Sequence, residues 1–99
     1  MSLFCIIGYD SADSTVKRDQ LLEEHLQYLR VLNQKGCLLA AGPLMSTEKS
    51  DAIACGSMLV VDFDSQKSLE NWFAHEPYNQ AGVYKTIQIH PYRNALPFC

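Results

Sequence analysis

In "LLEEHLQYLRVLNQKGCLLAAGP", residues 21–43, a helical pattern and a strand pattern meet at one glycine. The first half of the stretch repeats apolar residues at i, i+3, i+4 and i+7, the spacing of one helical face. Its second half, "CLLAAGP" (37–43), is a short apolar run stopped by Gly42-Pro43 and reads as a strand. Gly36 stands between them, free to take the positive φ of a helix C′ position. A wheel centred on His25 puts Leu21, Leu22, Tyr28, Leu29 and Leu32 within roughly 60° of it. Glu23, Gln27, Arg30 and Gln34 fall on the opposite side. His25 therefore points to the core side, where an apolar residue is expected. Arg18 lies on the same stripe, about 10 Å up the axis.

Working outward, "LFCIIGY" (3–9) is apolar on both faces and reads as a buried central strand. Ser14 or Thr15 is expected to cap the helix that follows, which runs to about Lys35. "LMSTEKSDAIACG" (44–56) is polar and longer than an ordinary hairpin connection, so it reads as a lid or binding loop. "SMLVVDFD" (57–64) is the third strand. Ser65 caps a short helix, "QKSLENWFAHE" (66–76), with Leu69, Trp72 and Phe73 at helical spacing. Pro77 restricts the residue before it, which ends that helix near His75. "PYNQAGVY" turns the chain with room for one more helical turn, "YKTIQIHPY" (84–92) is the last strand and "RNALPFC" a tail.

The order β-α-β-β-α-β predicts an α+β, ferredoxin-like domain spanning residues 1–99, with four antiparallel strands and both helices on one face. The right-handed crossover rule places the first and third strands in the middle. Two helices cover one face of an apolar sheet. A second copy packed sheet to sheet is the economical cover for the other, so a homodimer through the sheet faces is expected.

Composition narrows the function classes. The net charge is −3 with His neutral and there is no Lys/Arg block, which argues against a nucleic-acid partner. "LFCII" is too short for a membrane span or a signal segment, which leaves the cytoplasm as the expected location. The four cysteines, at 5, 37, 55 and 99, form no C-x-x-C pair and suggest no disulfide framework. Cys5 and Cys37 read as small apolar strand residues and Cys99 as an exposed terminal thiol. His25, His75 and His90 lack metal-ligand spacing, so no metal is expected.

The segments "EEHLQYLRVLNQKGCLLAAGP" (23–43) and "HEPYNQAGVYKTIQIHPY" (75–92) together resemble the YciI-like, or YCII-related, family of small bacterial proteins. The shared pattern is a helix with His before a Leu-rich stripe, then Gly-x-Leu-Leu-x-Ala-Gly-Pro, then Asp-Pro-Phe/Tyr leading into Ala-Gly. The resemblance covers essentially the whole chain. It implies a dimeric α+β barrel, similar in fold to muconolactone-isomerase-type proteins, and a pocket holding a histidine and a carboxylate. The family histidine falls on His25, the glycine and proline on Gly42 and Pro43, and the family aspartate on Glu76, one methylene longer. Asp10 and Arg18 match positions commonly polar in relatives.

The chemistry this implies is proton transfer. An imidazole titrates near neutral pH, burial disfavours its cation, and a neighbouring carboxylate favours the cation and fixes the tautomer. His25 and Glu76 are thus the candidate acid/base pair, with no cofactor, acting on a small organic acid or lactone by elimination or isomerisation. Arg18 suits a substrate carboxylate, and Asp10, Gly42, Pro43 and Tyr78 complete the candidate binding set. No activated nucleophile is evident. Each residue also has a plainer reading. His25 would be a core histidine bonded to main chain, Glu76 a helix-end residue and Asp10 a turn former. Arg18 would snorkel, Tyr78, Trp72 and Phe73 would be core, and His75 and His90 surface. Two other functions fit the same residues: a non-catalytic dimeric small-molecule binder or accessory protein and, more weakly, a haem or metal oxygenase.

Overall fold

The computed structural model describes residues 2–96; Cys99 lies outside them. The elements are β1 (Leu3–Asp10), α1 (Ser14–Gln34), β2 (Leu38–Met45), β3 (Ala54–Asp62), α2 (Gln66–Ala74), α3 (Pro77–Gln80) and β4 (Tyr84–Tyr92). The sheet order is β2-β3-β1-β4, antiparallel throughout, with the first and third strands central as expected. This is the ferredoxin-like α+β fold.

Period-two alternation sorts the sheet into two faces. Phe4 and Ile6 of β1 pair with Val61 and Leu59 of β3 and are buried beneath the helices. Leu29 and Leu32 of α1, Leu69 and Phe73 of α2, and Tyr78 of α3 close the core over them. The intervening residues, Leu3, Cys5 and Ile7 of β1 and Met58 of β3, face the other way and are half-buried in the single chain. β2 lies at the edge, and Leu39 through Pro43 are exposed.

Helix ends follow local chemistry, with one correction. α1 stops where predicted: Gly36 has φ +76°. Its start differs, because Asp13 is the N-cap and Ser14 is already helical and buried. Asp13 has φ −107° and ψ 26° and makes no side-chain cap bond. That backbone is not the extended one that aims a cap oxygen at the first amides, and the carboxylate reaches Lys17 instead, at 3.8 Å. Ser65 does cap α2, accepting from Ser68 N at 3.1 Å. The extra helical turn after Pro77 is α3.

The long loop is shorter than its sequence suggests. β2 runs to Met45 and β3 begins at Ala54, so only residues 46–53 connect them. Ser46 N donates to Ile53 O at 2.9 Å and Ile53 N to Ser46 Oγ at 3.1 Å, closing the base of the loop. Backbone pairing across this hairpin outweighs the polar composition of its flanks. β3 correspondingly starts three residues before the predicted strand and ends at Asp62 rather than residue 64.

Candidate functional site

The site is assembled at α3. Pro77 occupies the first turn, where its missing N–H costs nothing and its fixed φ suits the helix. Glu76 is the N-cap, with extended backbone at φ −67° and ψ 128°. Its carboxylate curls over the helix start. Oε2 accepts from Tyr78 N and Oε1 from Asn79 N, each at 3.2 Å. Glu76 is 1% exposed, and its third donor comes from α1: His25 Nδ1 lies 2.6 Å from Oε2.

That contact settles which imidazole nitrogen faces outward. An ionised carboxylate only accepts hydrogen bonds, so the hydrogen belongs on Nδ1 and Nε2 keeps a lone pair. Among the described residues Nε2 has no protein partner, and His25 borders the cleft described below. The ring lies flat on Tyr78, centroids 3.8 Å apart and planes 5° from parallel. Tyr78 is pinned in turn, its hydroxyl donating to Arg18 O at 3.0 Å. Burial raises the Tyr78 pKa, against the opposing pull of the Arg18 charge.

A second charged group stands up the helix. Arg18 Nε and Nη2 donate to the two oxygens of Asp10, at 2.7 and 2.8 Å. Nη2 also donates to Gly56 O and Ser57 Oγ, each at 2.9 Å. Burial works against the Arg18 cation, but the Asp10 hydrogen bond and charge outweigh it and hold the pKa above the usual arginine value. Nη1 has no acceptor among the described residues, so one edge of the guanidinium remains unused.

Behind this pair, Tyr84 lies across Gly8, where a Cβ would meet the ring at 2.7 Å. Only glycine lets the two strands and the ring approach so closely. The Tyr84 hydroxyl is buried with no hydrogen-bond partner among the described residues. Burial pushes its pKa up to about 12, with the Ser57 hydroxyl working against that rise. Ser57 Oγ already receives Arg18 Nη2, and the Tyr84 hydroxyl is not placed to bond it.

His25 and Arg18 edge a cleft of about 560 Å³ between α1 and the β2–β3 hairpin. Leu22, Leu26 and Leu29 line its helix side, with Leu38, Ala41, Gly42, Pro43 and Leu59 on the sheet side. Of the residues singled out in the sequence, His25, Arg18, Gly42, Pro43 and Tyr78 border this cleft. Glu76 touches it through His25. Asp10, 5% exposed at its side chain, sits behind Arg18 and outside the lining. Tyr78 is at once core, at 2% exposed, and cleft wall. His75 and His90 are exposed.

Ser57 is the residue that sequence reasoning passed over. Its signal was present: alternation puts position 57 on the same face as Leu59 and Val61, where a hydroxyl breaks an apolar row. Among the described residues no three His, Cys, Asp or Glu side chains gather as a metal site. No helix there is long and apolar enough to cross a membrane.

Fold and cleft together define a class: a small ferredoxin-like α+β protein with a histidine–carboxylate pair between its first helix and its sheet. More particularly, the chain belongs to the YCII-related domain family, which it matches over residues 2–93. It is 34% identical over 97 residues to protein YciI of Escherichia coli O6:H1, covering 95% of this chain and 99% of that one. An uncharacterized protein of Haemophilus influenzae is 30% identical, with 94% and 98% covered. Among solved structures, a 5-chloro-2-hydroxyhydroquinone dehydrochlorinase from Burkholderia phenoliruptrix AC1100, in complex with 2,5-dihydroxybenzoquinone, superposes with a TM-score of 0.85. It is 22% identical, with 94% of this chain and 95% of that one covered.

Proposed function

We propose that the chain is a small cofactor-independent enzyme that uses His25 and Glu76 as an acid–base pair on a small organic acid or lactone. The observation that carries this reading is the 2.6 Å contact of His25 Nδ1 with Glu76, which leaves Nε2 unpartnered at the cleft. In an elimination, Nε2 takes a proton from a carbon beside a carbonyl or unsaturated centre. The C–H electron pair becomes the new double bond, and the leaving group departs with its own pair. Glu76 stabilises the imidazolium so formed, and Arg18 Nη1 holds an anionic oxygen of the substrate. In an isomerisation, the same Nε2 returns the proton to another carbon. The dehydrochlorinase named above shares the fold, and its name shows that a relative of this architecture carries out an elimination.

The active form is proposed to be a cytoplasmic homodimer. Support comes from the open sheet face, where Cys5, Ile7 and Met58 lie half-buried. A second reading, a binding protein without turnover, is favoured by the mostly apolar lining of the cleft. Assays on halogenated or hydroxylated quinols, unsaturated acids and lactones separate the two. Turnover by the parent that falls about 10²- to 10⁴-fold in a folded His25→Ala variant supports the acid–base reading. A His25→Ala variant that folds and turns over substrate at the parent rate overturns it, and saturable binding without conversion by the parent favours the binder.

A further inference from the structure

The cleft has room for more than a single ring. An enclosed cavity of about 150 Å³ holds one benzene molecule, and this cleft measures about 560 Å³. Polar groups mark its two ends, Thr15, Arg18, the exposed Asp19 and Ser57 at one and Arg30 and Asn33 at the other, with apolar walls between. His25 follows Arg18 about 10 Å along α1. Past His25 the walls are Leu26 and Leu29 on the helix and Leu38, Ala41 and Leu59 on the sheet. Asn33, the last lining residue of α1, lies roughly 12 Å beyond His25. Arg30 borders that far end, but its Nη1 is already engaged by Gln27 Oε1 at 2.8 Å and Glu23 Oε1 at 3.4 Å. Its side chain is 53% exposed, so the guanidinium can stay in water while an apolar group lies along its stem. Apolar side chains also stand half out of the structure at the mouth: Leu22 is 49% exposed and Ile53 58%.

We propose that the ligand of this cleft is amphipathic. Its planar head carries an anionic oxygen and sits between Arg18 Nη1 and His25 Nε2. An apolar extension of roughly 10 Å runs from it between α1 and β2 toward Asn33. The inference rests on the anchoring and acid–base roles given above to Arg18 and His25, and it names the substrate class they serve: an aromatic or unsaturated acid with an alkyl or aryl tail. Leu26, Leu29 and Ala41 then determine specificity by how much of the tail they cover.

Calorimetric titration of the intact protein with benzoate and its para-butyl, para-hexyl and para-octyl homologues tests this. Affinity is expected to rise about two- to fourfold per added methylene and to level off once the tail outruns the cleft. Arg18→Gln should weaken all four by a similar factor. Leu26→Gln should shrink the gain per methylene, and Ala41→Phe, a change at an exposed position, should cost the octyl homologue most. A Kd that stays flat from benzoate to the octyl compound overturns the inference while leaving the head site standing. So does a gain that neither Leu26→Gln nor Ala41→Phe alters. A rising series without turnover of any related acid supports the amphipathic ligand and removes the catalytic reading. No binding by any member overturns both.

Discussion

Arg18–Asp10 and His25–Glu76 stand two helical turns apart on one side of α1, and their surroundings are opposite in kind. The Arg18 guanidinium is held by Asp10, Gly56 O and Ser57, with a single nitrogen left unbonded. It is raised above even the ordinary arginine pKa and stays a cation wherever the protein folds. His25 has one polar partner, Glu76, and rests on an aromatic face. The first pair is suited to holding an anion and the second to moving a proton. The difference lies in the number of fixed partners and in the chemistry of the group they hold.

The largest effect that bears on this contrast is on stability. The Arg18 and Asp10 side chains are 11% and 5% exposed, and breaking a buried pair by removing one member typically costs about 3–5 kcal/mol. Asp10→Ala is therefore expected to lower unfolding free energy by about 3 kcal/mol or more in urea titrations. A loss below 1 kcal/mol would mean that the pair is not a structural clamp.

Glu76→Gln should act on both stability and chemistry. Whichever way the amide lies, one of its –NH₂ contacts meets a donor: Tyr78 N and His25 Nδ1 on one side, Asn79 N on the other. About 1–3 kcal/mol of stability should be lost. The rate constant kcat should fall about ten- to hundredfold, less than the roughly 10²- to 10⁴-fold that general acid–base catalysis supplies in full, because His25 itself remains, while KM changes little. An unchanged kcat in a well-folded variant would reduce Glu76 to a helix cap.

The smallest expected effect sits behind both pairs, at Tyr84. Removing a buried hydroxyl that lacks a partner should help, so Tyr84→Phe is expected to gain about 1 kcal/mol at pH 7. Its pH dependence has a definite sign. A folded pKa of about 12 lies above the ordinary tyrosine value of roughly 10. Below about pH 10 the hydroxyl is neutral in both states and adds no pH dependence; as pH rises from about 10 toward 12 the unfolded chain ionises it first, and the parent loses stability. Thermal melts from pH 8 to 11 should therefore fall less steeply for Tyr84→Phe than for the parent. Equal slopes would place the alkaline loss on other groups.

The sequence carried these features unevenly. The fold was legible because the helical stripe gives way at Gly36 to a short apolar run and because β1 is apolar on both faces. His25 was legible as a titratable ring on an apolar stripe. Glu76 was reached only through family resemblance, since its contact with His25 depends on how α3 turns after Pro77, which spacing does not encode. Ser57 was marked by a broken alternation, but its partner Arg18 comes from 39 residues away. Asp10 was legible as polar and not as a buttress, because its burial depends on Arg18 folding back over it. The cap at Ser14 or Thr15 and the length of the 44–56 loop were misread for one reason: polar side chains near an element's end describe what is allowed there, and the backbone's own hydrogen bonds decide what forms.

The account depends most on the state of one imidazole. Two-dimensional ¹⁵N–¹H spectra that correlate histidine ring nitrogens with carbon-bound protons, recorded on the neutral ring, report which nitrogen carries hydrogen. The neutral ring of His25 is predicted to be protonated on Nδ1, with Nε2 bare, while the exposed His90 serves as a reference ring. A neutral His25 protonated on Nε2 would contradict the account, because the lone pair would then face Glu76 and no base would face the cleft.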